Sequence, residues 1–120
     1  ISKYSNFIGY YSGYLAYSAS NSNFIGQNSG RSALSASYSN LIGYNAGYRR
    51  AGTGIGENNI IIGTNITLPD TTANSINFGG VLFASGTYST KTGNPRAIPL
   101  TTGRVGINIY PTNYNLGGSC

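Results

Sequence analysis

A five-residue phrase with two adjacent apolar residues recurs near the start of the chain at a fixed 17-residue interval. It reads Ser-Asn-Phe-Ile-Gly at residues 5–9 and 22–26, and Ser-Asn-Leu-Ile-Gly at residues 39–43. Each copy is followed by a small residue and a second glycine, at residues 12–13, 29–30 and 46–47. A fixed period with two glycine-closed segments per copy predicts a chain that coils back on itself once per repeat.

The repeat favours strands over helices. A 17-residue period is too short for a helical hairpin, and its Gly, Ser and Asn residues disfavour helix. The length of the phrase is close to the common strand length, and the same small residues supply turns. We therefore expect an all-β fold, a β-solenoid (β-roll) with 17-residue coils stacked about 4.8 Å apart. The glycines expected at its turns are Gly9, Gly13, Gly26, Gly30, Gly43, Gly47 and Gly63.

Alternation along the strand places apolar residues on both of its faces. The Asn and Ile of each phrase point one way, while the Phe or Leu between them points the other way. A narrow solenoid has one interior, so one apolar set needs cover from another subunit. Full burial of a Phe or Ile contributes roughly 1.5–3 kcal/mol, which favours an oligomer. The residues expected in the core of the coil or of the oligomer are Asn6, Phe7, Ile8, Asn23, Phe24, Ile25, Asn40, Leu41, Ile42, Ile61 and Ile62.

The asparagines at positions 6, 23 and 40 repeat with the isoleucines on one face. They are consistent with a ladder of stacked amides that joins successive coils. They are equally consistent with turn shaping and backbone capping, a common role of Asn. The sequence leaves both interpretations open.

The repeat register slips after the third copy. The next Ile-Gly pair that ends an apolar run, at residues 62–63, comes three positions later than the repeat interval requires. The extra residues fall within 49–58, which predicts a wider turn, and residues 59–63 are expected to form a fourth coil that ends the solenoid. The first predicted segment is therefore residues 1–63.

The sequence changes character beyond residue 63. Residues 75–84 look like two strands folded about Gly79-Gly80, residues 85–100 are rich in loop-forming Gly and Pro, and residues 104–109 form a last strand. These features predict a smaller β-hairpin-rich segment over residues 64–116, followed by a flexible tail at 117–120.

Composition favours a regular fibrous fold. Charged residues make up 8% of the chain, against about 25% in ordinary globular proteins. A disordered chain has no physical reason to repeat Phe-Ile-Gly at a fixed interval, so the repeat favours an ordered fold. The net charge of +5 comes from scattered basic residues, of which only Arg49 and Arg50 are adjacent. This scatter argues against a nucleic-acid interface.

A mildly basic oligomer could attract acidic polysaccharide or lipid headgroups, although charges that only maintain solubility explain the composition as well. The residues considered for surface binding are Tyr14, Arg31, Tyr48, Arg49 and Arg50.

The residue inventory argues against catalysis. The chain has no His, and its acids are Glu57 and Asp70 alone. The chain therefore lacks the residues for general acid–base catalysis, for a paired-carboxylate site and for a set of metal ligands. We expect no enzyme activity, cofactor or metal. The single cysteine, Cys120, is either a thiol that links chains, or simply part of a truncated natural end or an added handle.

These residues resemble a known family. The Ser-Asn-Phe-Ile-Gly repeats are similar to the head repeats of YadA-like trimeric adhesins. Together with residues 59–64, 76–83 and 103–111, they resemble the region that precedes a C-terminal intramolecular chaperone in many bacteriophage tail fibres and related surface proteins. The 17-residue period is longer than in the adhesin heads, and no chaperone follows, so we expect a piece of a longer fibre.

The resemblance implies a left-handed β-roll in an intertwined homotrimer. Its expected role is a shaft or head of a tail fibre or adhesin, outside the cell on a virion or bacterial surface. Its expected partners are its own copies and a host polysaccharide or protein receptor, without membrane insertion.

Two other functions compete with this one on the residues alone. A repeat rich in Tyr, Asn, Gly and Ser, with exposed strand edges, could also form a polymerising extracellular filament or functional amyloid. An ice-binding solenoid needs a flat repeated Thr array, but the threonines at 64, 67, 71 and 72 do not recur at the coil interval.

Overall fold

The structure is a computed structural model that describes residues 2–87 and 103–109. Over these residues the chain is all-β, with seven strands in one sheet that follow one another in sequence order. The strands are β1 (Asn6–Ile8), β2 (Asn23–Ile25), β3 (Asn40–Ile42), β4 (Ile60–Ile62), β5 (Ser75–Phe78), β6 (Leu82–Ser85) and β7 (Arg104–Ile107).

Strands β1 to β5 are parallel, and like residues of successive repeats face one another. Asn6 pairs with Asn23, and Asn23 pairs with Asn40. The next positions in the same column are Ile60 and Ile76, so the chain advances by 17-, 17-, 20- and 16-residue steps from coil to coil. The predicted β-solenoid, with its 17-residue repeat over the first coils, is confirmed.

The strands are three residues long in the first four coils, shorter than the repeated phrase. Each phrase ends at a glycine whose φ is far from the extended region, +126° at Gly26 and +128° at Gly9 and Gly43. Gly26 also lies so close to the next coil that an added Cβ would stand 2.6 Å from the carbonyl oxygen of Gly43. The chain therefore turns out of the sheet at this point, and the turn requires glycine.

The interior of the solenoid is occupied by one position of each parallel strand, which is apolar in β1 to β4. We call this set the inner column: Phe7, Phe24, Leu41, Ile61 and Asn77. The rings of Phe7 and Phe24 stack with centroids 4.8 Å apart. The other sides of each coil contribute small buried residues to this core, namely Ala16, Ala19, Ala33, Ala36 and Ala46.

Buried serine hydroxyls form hydrogen bonds with backbone groups inside the coil. The Ser22 hydroxyl donates to the carbonyl of Ala36 at 2.8 Å and accepts from the backbone N–H of Ser39 at 3.1 Å. Ser29 likewise donates to the carbonyl of Leu41 at 2.7 Å. These bonds join one coil to the next, because each serine bonds a backbone group 12 to 17 residues further along the chain.

The parallel pairing continues one strand beyond residue 63, where we expected the solenoid to end. Strand β5 pairs with β4 and places the buried Asn77 in the inner column, where an apolar residue stood before. Asn77 is accommodated because its amide donates to the carbonyl of Thr67 at 2.7 Å and accepts from the N–H of Gly80 at 2.9 Å. The parallel pairing thus extends one strand beyond the end expected at residues 59–63, and these polar partners make the extra interior position favourable.

Strands β6 and β7 then add to the same sheet in antiparallel pairings. Strands β5 and β6 are joined through Gly79-Gly80, and Phe78 faces Leu82 across this connection. One sheet thus crosses the boundary drawn near residue 63, and the division into segments 1–63 and 64–116 stays a prediction.

The longer third coil carries the wide turn expected from the extra residues at 49–58. Ile55 within it is buried against the core. Arg49 Nε lies 2.9 Å from Asp70 Oδ1 and forms an ion pair with it. This pair connects the wide turn to the turn at residues 69–72 of the following coil.

Candidate interaction surfaces

The outward face of the parallel strands carries a line of apolar side chains that the rest of the chain covers only in part. We call it the outer apolar column: Ile8, Ile25, Ile42, Ile62 and Phe78, one residue after each member of the inner column. The exposed fraction is 59% at Ile8, 38% at Ile25, 37% at Ile42 and 49% at Phe78. The isolated chain therefore buries Phe24 and Leu41 completely and leaves their isoleucine neighbours partly in water.

The asparagines beside this column form an amide ladder, one of the two interpretations of their repeat. Asn6 Nδ2 donates to Asn23 Oδ1 at 2.9 Å, and Asn23 Nδ2 donates to Asn40 Oδ1 at 2.8 Å. The ladder ends there because Ile60 and Ile76 occupy the same position in the next two coils. The outward face thus becomes wholly apolar on β4 and at the equivalent positions of β5.

A second amide ladder, which was not predicted from the sequence, lies at the turn after strands β2, β3 and β4. Asn28 Nδ2 donates to Asn45 Oδ1 at 3.0 Å, and Asn45 Nδ2 donates to Asn65 Oδ1 at 2.6 Å. All three residues have φ between +54° and +57°, a conformation that Asn tolerates better than most residues. Their separations along the chain match the coil lengths, so the repeat alone could have identified them.

The first coil has a tyrosine where later coils have the second ladder. Tyr11 has the same φ of +57° as Asn28 and cannot continue the amide chain. Its ring packs against Tyr10 and Tyr14 with centroids 4.3 and 5.1 Å apart. An aromatic cluster therefore replaces amides at this corner of the coil.

Three of the residues considered for surface binding come together beside this cluster. Tyr14, Arg31 and Tyr48 occupy the same position in three successive repeats, and we call them the aromatic–arginine column. The Arg31 guanidinium lies 5.6 Å from the ring centroid of Tyr14 and 5.4 Å from that of Tyr48. It lies 4.7 Å from the ring centroid of Tyr11 as well.

The contact between Tyr10 and Tyr11 shifts the pKa of the Tyr10 phenol. The side-chain hydrogen bond with Tyr11 raises the pKa of Tyr10 above its ordinary value. A raised pKa means that Tyr10 favours folding below its ordinary pKa, and that this contribution fades as pH rises through the folded-state value.

The other two arginines considered for binding are placed differently. Arg49 is held in the ion pair with Asp70, which neutralises its charge. Arg50 is exposed on the wide turn, two residues beyond Tyr48. Of the three candidate arginines, Arg31 alone lies among aromatic rings.

The structure adds two observations on other classes of function. Among residues 2–87 and 103–109, no group of three His, Cys, Asp or Glu side chains lies close enough to hold a metal ion. The same stretch contains no helix with the length and apolar character of a membrane span. Cys120 and residues 88–102, which include most of the loop-rich segment, lie outside the described residues.

Comparisons with known proteins return nothing: no family model, curated protein or solved structure matches the chain. The surfaces described above are therefore the basis for assigning a function.

Proposed function

We propose that this chain is a structural or attachment segment of an extracellular fibre, built as a homotrimer of left-handed β-solenoids. It would act as a shaft or head segment of a phage tail fibre or a surface adhesin. Such a segment spaces or presents a surface that binds a host receptor. The observation that carries the proposal is the outer apolar column, which repeats on every parallel strand and lacks full cover within the chain.

The exposure of this column has a substantial energetic cost. Covering the exposed part of one such isoleucine contributes roughly 1 kcal/mol, a fraction of the value for full burial. The column runs through five strands, and every copy of the chain would contribute its own column. A contiguous apolar surface of this kind is typical of a protein–protein contact.

The amide ladder lowers the energetic cost of burying the same face. Burying a polar group without a partner is costly. The amide groups of Asn6, Asn23 and Asn40 are already bonded to one another within the chain. A second copy that covers this face would therefore bury amides that each already have at least one partner.

The number of copies follows from the resemblance to trimeric adhesin heads. Three identical chains around one axis place three outer apolar columns toward a common centre. This closed arrangement covers every copy equally and stops growth at three, as cyclic symmetry requires.

One observation favours a second candidate, a polymerising filament or functional amyloid. The strands are stacked in parallel with like residues in register, and Asn ladders join them. Cross-β assemblies use the same two features between chains. Filament growth would cover the apolar face by open-ended addition of copies.

Light scattering coupled to size-exclusion chromatography separates these candidates. A closed trimer elutes as one species with three times the mass of one chain, and its mass stays constant over a hundredfold dilution. A filament shows a mass that rises with concentration. A folded monomer across the whole range would overturn both candidates.

A further inference from the structure

We infer that the aromatic–arginine column, with Tyr10 and Tyr11 beside it, is a binding surface for an anionic saccharide. This inference deepens the attachment role proposed above and rests on it. It specifies the chemical class of the receptor and the side chains that would recognise it.

The first step is the state of the cation. Arg31 Nη1 donates one hydrogen bond to Asn28 Oδ1 at 3.3 Å. No carboxylate pairs with Arg31 anywhere in the part of the chain that the structure describes, whereas Arg49 is paired with Asp70. A guanidinium has five N–H donors, so most of those of Arg31 remain for a ligand.

The second step is that the cation is held in position. The rings of Tyr11, Tyr14 and Tyr48 all lie within 5.6 Å of the guanidinium carbon. Cation–π contacts order this side chain before any ligand arrives. A side chain ordered in advance loses less entropy when it binds, so a carboxylate or sulfate would meet donors that are already oriented.

The third step is the aromatic surface around the cation. The exposed fraction is 67% at Tyr10, 42% at Tyr11 and 47% at Tyr14. The rings are tilted by 50° and 56° to their neighbours, so they form adjoining facets. A pyranose ring packs its C–H face on such a ring, and the phenol hydroxyl can bond the sugar hydroxyls at the rim.

The charge distribution favours a saccharide over a lipid surface. Electrostatic attachment to anionic membranes depends on clusters of Lys and Arg near the surface. Here one unpaired cation sits among several rings, and the other basic residues are scattered. The column also advances by the coil spacing of about 4.8 Å, which suits a ligand made of successive sugar units.

The test measures binding of three oligosaccharides by isothermal titration calorimetry. Hyaluronan fragments carry carboxylates, heparin fragments carry sulfates as well, and dextran fragments are neutral. We expect binding of hyaluronan, of heparin or of both, which identifies the anionic group, and no binding of dextran. Failure of both anionic probes, or equal binding of dextran, would overturn the inference.

Arg31→Gln should weaken binding of the anionic probe about tenfold or more, as expected from the loss of a charge-assisted contact. Arg104→Gln is the matched control because Arg104 is exposed on β7 and its replacement changes net charge equally. It should change affinity less than about twofold. Equal losses in the two variants would indicate diffuse charge attraction and overturn the site.

A second pair of variants keeps the charge of Arg31. It tests the site even if Arg31→Gln fails to fold. Tyr10→Ser removes an exposed ring of the cluster, and Tyr4→Ser removes one that is 85% exposed elsewhere on the first coil. Tyr10→Ser should weaken binding several-fold and Tyr4→Ser should not. The reverse order would place the ligand elsewhere.

Two further measurements separate this inference from the proposed fibre role. Light scattering on the same samples reports assembly independently of binding, so a trimer that binds neither anionic probe refutes the saccharide site alone. A monomer that binds the probe through Arg31 refutes the trimer alone. Stronger attachment to phosphatidylglycerol vesicles than to either saccharide would refute the choice of ligand.

Discussion

At the scale of single residues, the fold depends on positions where a side chain cannot be tolerated. Gly9, Gly26 and Gly43 stack on one another at the corner of successive coils, with backbone atoms too close for an intervening Cβ. Gly30 has a related role, because its missing side chain leaves the space that the Phe24 ring occupies. The repeat of glycine is therefore a packing requirement as well as a turn requirement.

Gly26→Ala should lower the free energy of unfolding by at least about 3 kcal/mol. The φ of +126° costs an alanine roughly 1–3 kcal/mol, and the new Cβ would stand 2.6 Å from the carbonyl oxygen of Gly43. Urea unfolding followed by circular dichroism measures the change.

Gly79→Ala is the control for this prediction. Gly79 also has a positive φ, +65°, but no atom lies within 4 Å of the added Cβ. Its cost should be about 1–2 kcal/mol, the conformational term alone. Similar losses at Gly26 and Gly79 would show that coil spacing does not restrict residue 26.

At the scale of elements, the columns that run between coils hold the solenoid together. The short strands contribute few ladder hydrogen bonds each, so serine and asparagine side chains extend the bonding beyond the sheet. The buried ones matter most, because Ser22, Ser29 and Ser39 are shielded from water that could replace them. A lost hydroxyl there leaves backbone groups of a neighbouring coil without a partner.

Ser22→Ala should destabilise the chain by about 2–4 kcal/mol. It removes the donor to the Ala36 carbonyl and the acceptor for the Ser39 N–H, and each unsatisfied buried group costs roughly 1–3 kcal/mol. Ser35→Ala, at an exposed position of the second coil, should change stability by less than about 0.5 kcal/mol. Equal midpoints in urea for the two variants would contradict the bonding role assigned to Ser22.

At the scale of the whole molecule, the two apolar faces of the parallel strands differ in burial. The chain itself buries the inner column, while the proposed assembly would cover the outer apolar column. Folding of one coil and the proposed assembly would therefore use different residues of the same phrase, and a substitution would then affect one process without the other.

Ile25→Asp tests this separation directly. Ile25 is partly exposed in the single chain, so an aspartate there is compatible with the coil, but three copies would bring carboxylates together near one axis. We expect the variant to remain β-rich by circular dichroism and to elute as a monomer in light scattering. Ser35→Asp adds the same charge at an exposed position off the strand and should assemble normally. An Ile25→Asp trimer with an unchanged melting temperature would contradict the proposed interface.

Several features were decided by the sequence alone. The 17-residue interval specified the coil, because only a stacked repeat keeps apolar residues, asparagines and glycines in one register. The alternation of Asn, Phe and Ile showed that both faces carry apolar residues, since the side-chain period of a strand is a local property. The same interval links Tyr14, Arg31 and Tyr48, although their stacking was not predicted from it.

Other features were decided only by the tertiary structure. Which apolar set lies inside depends on what packs opposite it: the small residues of the other sides leave room for Phe24, and Gly30 completes that space. The parallel pairing of β5 was missed because its interior residue is Asn77, whose burial becomes favourable only through bonds to Thr67 and Gly80. Sequence periodicity reports which residues recur, whereas burial and pairing depend on neighbours from distant coils, which only the folded chain brings together.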